Sequence, residues 1–424
     1  MEPIQRQIEF AIHALEERFL EREELIRLML LGVLSGENVL LIGPPGTAKS
    51  QLARNVAALF GGEGWFEYLL TRFTTPDEVF GPVSLTELKQ DRYVRQTDGF
   101  LPRAHFAFLD EIFKSGSAIL NALLSLLNER VYYNGRMKEL SPLQCLIAAS
   151  NELPDDNEHL SALYDRFLIR YEVDFLSHLS SYERMFTLPR DPAPALLTLE
   201  HVQALRREVE AVVLPETMIL FLYELKMKAE AHDLRISDRR WRKIGDVWRT
   251  SAALNGRNTV TLWDTVYTPH MLWDVPEALA SVREWFGELF DRALEQACEA
   301  ELPLRQFTQV LASWTERKSQ VYGYQFKKEM KGDVTGADIV KQCREELEEQ
   351  AQLLRRALVR FHERERGRHA ELQRINMLLL EPAVAAAKFV SVRIRAERVL
   401  HEMMALYRAL FDTDIPGVAY DFTL

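Results

Sequence analysis

Three short stretches of the chain are apolar almost throughout: NVLLI at 38–42, HFAFLDEI at 105–112 and LQCLIAASN at 143–151. Each is too short for a helix and is closed by a glycine, an acid pair or an asparagine, which predicts buried strands rather than half-exposed ones. Helical spacings lie between them, at 51–60 and in SAILNALLSLLNER at 117–130, and residues 10–34 predict one amphipathic helix ahead of the first run. Strands that alternate with helices and lack a polar face predict an α/β fold, a parallel sheet covered on both sides. From about residue 190 the strand signals fade, and 195–275 predicts a small helical bundle. Beyond it, Leu347, Ala351, Leu354, Leu358, Phe361, Leu372, Ile375 and Leu379 fit one a/d heptad frame, broken only at Glu365 and Arg368. That frame predicts a helical hairpin or coiled coil, with a single long core helix as the alternative. The expected division is an α/β domain over 1–190, a small helical domain over 191–275 and a helical C-terminal domain over 276–424.

The turn after the first run reads GPPGTAKS, beginning at Gly43. Strand, glycine-rich turn and helix form the setting of a phosphate-binding loop, where backbone N–H groups and a helix N-terminus surround the phosphates. Gly43, Pro44, Pro45, Gly46, Thr47, Ala48, Lys49, Ser50 and Gln51 supply that loop. Lys49 is placed to reach the β- and γ-phosphates, and the Ser50 hydroxyl to ligate Mg²⁺. The loop departs from G-x-x-x-x-G-K-[ST] at one position, where Ala48 replaces glycine. Alanine is tolerated there if its φ is negative and its methyl points away from the phosphates, and this is the expectation.

The second run ends in Asp110 and Glu111. This acid pair suits Mg²⁺ binding by Asp110, through water, and orientation of an attacking water by Glu111. The third run ends at Asn151, whose amide would orient that water from the opposite side, with an Asx turn or helix cap as the structural alternative. In ALYDRFLIR at 162–170, Arg166 stands at the edge of the sheet domain and is expected to act on a neighbouring subunit's phosphates, with Arg170 as its rival. In ISDRRWRK at 236–243, Ser237 or Asp238 caps a helix, and Arg239 or Arg240 would reach back to the γ-phosphate.

Composition narrows the reading. The 424 residues are 47% hydrophobic, enough for two or three domains with real cores. A formal net charge of −11 argues against general nucleic-acid binding, which needs a basic face. Cys145, Cys298 and Cys343 are far apart without C-x-x-C spacing, which argues against a disulfide framework or zinc site and fits a reducing compartment. The charged N-terminus lacks the apolar core of a signal peptide and no stretch is apolar enough to cross a bilayer, so a soluble cytoplasmic protein without a membrane span is expected.

Taken in order, these motifs resemble those of the AAA+ ATPases: Walker A at 43–50, Walker B at Asp110 and Glu111, sensor 1 at Asn151, the arginine finger at Arg166 and sensor 2 at Arg239. FEYLLTRFTTPDEVFGPVSL at 66–85, GFLPRA at 99–104, LLNER at 126–130 and AASNELP at 148–154 resemble the MoxR family, and its RavA-like branch in particular. GxAKS and GxAKT loops occur in that family. The resemblance spans roughly residues 10–275. It implies an AAA+ P-loop domain, a small helical lid, ATP and Mg²⁺ as cofactors, and hydrolysis of ATP to ADP and phosphate. It also implies a homo-hexamer with a chaperone-like role toward a partner carrying a von Willebrand factor A domain. Two pore-facing hairpins are implied, at VYYNGRMKEL (131–140), with Asn134-Gly135 as a two-residue turn, and around 92–99. RavA proteins carry a β-rich insertion that contacts a lysine decarboxylase. Residues 276–424 show no strand-and-turn series, so that partner is not expected. A nucleotide-gated scaffold is the alternative, against which the complete set Lys49, Asp110, Glu111, Asn151 and Arg166 counts. A nucleic-acid motor is the other, against which the charge counts.

Overall fold

The computed structural model describes residues 4–62, 64–154, 158–331, 336–380 and 382–418. The chain forms two compact units, one of Met1–Gly287 with Asn376–Leu380, the other of Glu288–Ile375 with Glu381–Leu424. The first begins with helices α1 (Ile4–Glu16) and α2 (Glu23–Ser35), then β1 (Val39–Ile42), α3 (Lys49–Ala58), β2 (Trp65–Leu69) and the short helices α4 (Pro76–Phe80) and α5 (Leu85–Leu88). There follow β3 (Phe106–Asp110), α6 (Ser117–Glu129), β4 (Val131–Asn134), β5 (Met137–Leu140), β6 (Cys145–Ser150), α7 (Glu158–Tyr164) and β7 (Ile169–Glu172). Five strands make a parallel sheet in the order β2-β3-β6-β1-β7. The three apolar runs are β1, β3 and β6, its central strands. Every residue of β1 and β6 is buried, so neither face of those strands meets solvent. The edge strands β2 and β7 are only partly buried, which is why no continuous apolar run marks them.

One expected element is divided. The spacing over 10–34 predicts a single helix, and Ile8, Ala11, Ile12, Leu15 and Phe19 are indeed buried at helical intervals. The chain nevertheless turns at Glu21, which takes φ +55 and separates α1 from α2. The Glu21 carboxylate accepts hydrogen bonds from Ser177 N (2.8 Å), Ser177 Oγ (2.9 Å) and His178 N (2.9 Å). The break is thus fixed by a distant segment, which helical periodicity does not register.

After β7 come α8 (Leu179–Met185), α9 (Leu199–Ala211), α10 (Glu216–Ala231), α11 (Asp238–Leu254) and α12 (Ala278–Cys298), with Trp248 and Trp273 fully buried among them. The second unit holds α13 (Leu304–Glu316), α14 (Lys318–Lys331), α15 (Ala337–Ile375) and α16 (Pro382–Phe411). Tyr407 bonds to Glu348, and Arg344 lies 4.6 Å over the Phe411 ring, so the start of α15 meets the end of α16 and the pair is an antiparallel hairpin. Leu347, Ala351, Leu354, Leu358, Phe361 and Leu372 form its buried seam, as the heptad frame predicts. The side chains of Ile375, Glu365 and Arg368 lie outside those described. Leu379, the last position of the frame, sits instead in the loop 376–380, which is built into the first unit.

The 131–140 segment is a two-stranded hairpin closed between Asn134 and Met137, with Gly135 at φ +63. Asn134 does more than turn the chain. Its Oδ1 accepts from Arg95 N (2.7 Å) and its Nδ2 donates to Arg95 O (3.1 Å). A Cβ on Gly135 would lie 2.0 Å from Tyr93 O, so only glycine permits this approach. The 92–99 stretch pairs back on 82–84 through Ser84 N to Val94 O and Gln96 N to Pro82 O, both 2.8 Å. The two hairpins are therefore locked to each other.

Candidate active site

Parallel register carries the ends of β1, β6 and β3 to one edge of the sheet, with Ile42 opposite Ser150 and Leu109 opposite Ala148. Ligands of open α/β sheets bind beyond the carboxyl ends of the strands. Here the residues that follow those ends line one open cleft of about 400 Å³, bounded by residues 45–51, Asp110, Glu111 and Asn151. Because β6 lies between β1 and β3, Asn151 lies between the loop and the acid pair. Lys49 Nζ donates to Gly43 O (2.7 Å), Pro44 O (2.7 Å) and Thr47 Oγ1 (3.3 Å), and lies 3.5 Å from Asn151 Oδ1. Asn151 Nδ2 donates in turn to Glu111 Oε1. The other Glu111 oxygen stands 3.3 Å from Lys114 Nζ.

Burial pushes the Lys49 ammonium below its ordinary pKa, opposed by the charges of Asp110 and Glu111. Burial pushes the Asp110 carboxyl up; the Glu111 N–H, 3.0 Å from Asp110 Oδ1, opposes this, the Glu111 charge adds to it, and Lys49 opposes it. A half-buried carboxyl whose charged form is disfavoured is one that a cation would relieve. With the Ser50 hydroxyl it offers hard oxygen donors, the kind Mg²⁺ takes while keeping its remaining ligands as water and phosphate. Among the described residues no cluster of three or more His, Cys, Asp or Glu forms an all-protein metal cage. Ser50 and Asp110 therefore fit Mg²⁺ bound together with a nucleotide.

Ala48 overturns the expectation of negative φ. It stands at φ +64, ψ +20, as the N-cap residue of α3. The helix proper begins at Lys49, so helix propensity does not govern the position. The turn from loop to helix requires a left-handed residue there, and alanine accepts that conformation at a cost of about 1 kcal/mol. Glu111 is also left-handed, at φ +55. Of the seven non-glycine residues at positive φ among the described residues, these two line the cleft.

The four candidate arginines separate cleanly. Arg166 precedes β7, and its carbonyl accepts from Asn38 Nδ2 at 3.4 Å, just ahead of β1. The phosphate loop leaves the other end of β1, so the length of a four-residue strand, about 13 Å, separates Arg166 from its own loop. Arg239 shares a small cavity with Arg166, Ser237, Arg240 and Lys243, and does not line the cleft. Burial lowers the pKa of Arg166, and the Arg239 charge lowers it further. Arg170 is 2% exposed, donating to Trp273 O (2.6 Å), Asp274 Oδ1 (3.0 Å) and Tyr164 O (3.2 Å). Arg240 is 4% exposed and donates to Met271 O (2.7 Å), Phe167 O (3.2 Å) and Leu168 O (2.8 Å). Both rivals are structural clamps, consumed by backbone carbonyls.

Sequence reasoning missed the neighbouring chamber. Phe19, Leu20, Phe175, Tyr182, Phe186 and Arg22 are among the residues lining a cavity of about 580 Å³ that shares Gly46, Thr47, Ala48 and Gln51 with the cleft. A chamber of mixed lining, aromatic and apolar side chains beside Arg18, Arg22 and Arg190, that opens onto a phosphate site suits a nucleobase. Its walls come from two distant segments joined by Glu21, so no local motif announces it.

Comparison with known proteins places this geometry. Residues 6–185 match the model of the MoxR domain in the MoxR-vWA-beta-propeller ternary systems, and residues 217–286 match an AAA lid domain. An uncharacterised Methanocaldococcus jannaschii protein is 39% identical over 301 residues, 70% of this chain and 78% of the relative. A second from that organism is 42% identical over 270 residues, 63% of this chain and 72% of the relative. The chaperone MoxR1 of Mycobacterium tuberculosis is 28% identical over 203 residues, 47% of this chain and 52% of the relative. The crystal structure of a proposed ATPase from Cytophaga hutchinsonii superposes with a TM-score of 0.54 at 20% identity, covering 67% of this chain and 93% of that one, which speaks to the fold.

Proposed function

Because the chain belongs to the MoxR family of AAA+ ATPases, we propose that it hydrolyses Mg²⁺-bound ATP in a head-to-tail ring and uses the energy to remodel a partner protein. One observation carries the reading: Lys49, Asn151 and Glu111 form a hydrogen-bonded chain over a single cleft, while Arg166 and Arg239 stand together one strand length away from it. In this reading residues 43–51 hold the phosphates, with Lys49 on the β- and γ-phosphates. Ser50 and Asp110 hold Mg²⁺, which neutralises phosphate charge when bound. Glu111 orients the attacking water and accepts its proton, and Asn151 fixes the Glu111 carboxylate. Arg166 and Arg239 act in trans, on the nucleotide of the next subunit, where they stabilise the charge of the transferring phosphoryl group. A ring, expected to be hexameric, is the assembly that gives every cleft such a neighbour.

The partner we propose carries a von Willebrand factor A domain. The support is the description of the matched family model, which also names a β-propeller protein as a third member of such systems. The RavA-like placement rests on the segments at 66–85, 99–104, 126–130 and 148–154 alone, and no lysine decarboxylase partner accompanies it. A cytoplasmic place of action suits the three buried cysteines. Among the described residues no helix is long and apolar enough to cross a membrane.

The test is ATP turnover by the purified chain. Phosphate release should require Mg²⁺ and should rise more than in proportion to protein concentration as rings assemble. Turnover that is strictly proportional to concentration, from a monomer, would refute action in trans.

A further inference from the structure

Helix α10 is apolar on two opposite faces. Met218, Phe221, Leu225 and Ala229 point inward and are buried. Ile219, Leu220, Tyr223 and Met227 lie on the other side at exposures of 51%, 56%, 59% and 48%. A helix apolar all round belongs in an interior, and single exposed apolar residues do not make such a stripe. A second unpartnered feature stands at the rim of the cleft. Phe73 is 84% exposed and Leu69 58%. Leu69 pairs in register with Asp110, and Leu70 N donates to Asp110 O at 2.9 Å, so the turn at 71–74 leaves the sheet beside the acid pair. That turn is rigid: Thr71 N donates to Thr74 Oγ1 (2.9 Å), Thr74 N to Thr71 O (3.1 Å), and Thr75 with Glu78 forms a capping box behind it. An aromatic held out on a preformed turn loses little entropy on being covered.

We propose that the outer face of α10 in one copy of the chain packs over the Phe73 turn of the next copy, so that the two apolar features form one head-to-tail interface. The inference rests on the reading that Arg166 and Arg239 serve a neighbour's cleft. Continuity carries it from there. Lys226 on α10 pairs with Asp238 at 3.3 Å, and Asp238 adjoins Arg239 at the start of α11. A surface that brings Arg239 to the next cleft therefore brings α10 to that cleft's rim, where Phe73 stands. Head-to-tail contact needs two different complementary surfaces, and here they are on one chain. Charge agrees in balance: exposed Arg72 flanks Phe73, and on α10 the exposed Glu216, Glu224 and Glu230 outnumber the partly exposed Lys226 and Lys228.

The experiment uses the full chain. Its three native cysteines are buried, so single cysteines can be introduced without removing them. Phe73→Cys and Tyr223→Cys are purified separately, then mixed with Mg²⁺ and a non-hydrolysable ATP analogue and treated with a short bis-maleimide. The proposal expects a covalent dimer in the mixture and none in either protein alone. It also expects Tyr223→Ser to raise the protein concentration for half-maximal turnover by roughly tenfold, with nucleotide binding by dilute protein unchanged. Assembly and turnover without a cross-link overturn this interface and leave trans action standing. A cross-link in Tyr223→Cys alone overturns it in favour of a symmetric α10 contact. An absence of both assembly and concentration-dependent turnover overturns trans action, and this inference with it.

Discussion

Asn151 holds Glu111: its Nδ2 donates to Glu111 Oε1, while its Oδ1 lies 3.5 Å from Lys49 Nζ. The two contacts tie the proposed water-orienting carboxylate to the proposed phosphate-binding lysine through one side chain just past the end of the strand between them. Replacing Asn151 by Ala should leave ATP affinity within a few-fold and lower kcat by about 10²-fold, the cost of losing one preorganised polar contact. Glu111→Gln should bind ATP with little turnover. A large loss of affinity in Asn151→Ala, with kcat preserved, would assign Asn151 to binding instead.

Ala48→Gly should leave the nucleotide-free protein as stable as the parent or more so. The left-handed φ of +64 costs alanine about 1 kcal/mol, and glycine removes that strain while adding a somewhat smaller entropy to the unfolded chain. A helix-propensity argument gives the opposite sign. Ala48→Val should be much worse, since a β-branched residue tolerates φ above zero poorly. Thermal melts of the three proteins decide the matter, and a clear fall in Tm for the glycine variant would contradict the strain argument.

What could be read from the chain follows from which forces are local. β1, β3 and β6 were legible because a strand buried on both faces must be apolar throughout, and the residues that end them were legible because parallel topology puts those ends together. The α15 side of the α15–α16 seam was legible from its heptads as far as Leu372, while the frame did not extend into α16. The φ of Ala48 was not, because a loop geometry shared by many sequences overrides the residue's own preference. The break at Glu21 and the aromatic chamber it helps form were not, because their cause is a contact with residues 177–178. Nor could Arg239 be told from Arg240. Adjacent residues on a helix start point about 100° apart, and only the packing of α11 decides which one meets the carbonyls of Phe167 and Leu168.

The arginines should separate by assay. Arg240→Ala leaves the carbonyls of Met271, Phe167 and Leu168 without their donor and should cost about 3 kcal/mol of stability; Arg170→Ala should behave alike. Arg166→Ala and Arg239→Ala should melt near the parent and lose turnover. Mixing Arg166→Ala with Lys49→Ala should restore part of the activity, because some interfaces then join an intact loop to an intact finger. A mixture that co-assembles yet stays inactive would count against action in trans.

Glu21 predicts a pH dependence. Slight burial raises its carboxyl, but hydrogen bonds from His178 N, Ser181 and Ser177 outweigh it and bring the pKa from 4.5 down to about 2. A carboxylate lowered by folding stabilises the native state fully above its unfolded pKa, and that contribution fades as pH falls toward the folded one. The difference in stability between the parent and Glu21→Gln should therefore be constant above about pH 5, shrink below 4.5, and be nearly gone by about 2. Chemical denaturation of both proteins across that range is the measurement. A difference that persists unchanged at the acid end would mean that the hydrogen bonds, not the charge, carry the effect.

The last prediction concerns Asn376, which is 1% exposed in the loop between α15 and α16. Its Nδ2 donates to Trp263 O at 2.7 Å, and its Oδ1 accepts from Asn255 Nδ2 (3.2 Å) and Leu378 N (2.9 Å). Asn255 returns the contact by accepting from Met377 N at 2.7 Å, and Tyr267 OH donates to Leu378 O. Every polar group of the pair is thus satisfied inside the first unit, far along the sequence from the residues it binds. A buried network of this kind is costly to break on one side, because the partners left behind can find no water. Asn376→Ala should lower stability by about 2–3 kcal/mol through the lost bonds to the Trp263 carbonyl, the Asn255 amide and the Leu378 N–H. Asn376→Asp keeps the acceptors but places a charge opposite the Trp263 carbonyl, so it should not rescue the loss near neutral pH. The expected readout is a lower denaturation midpoint in both variants with an unchanged m-value, and recovery of part of the loss by saturating nucleotide, since a ligand that binds only the folded unit stabilises it by mass action. If Asn376→Ala melts like the parent, the loop is an ornament on the first unit rather than a part of it.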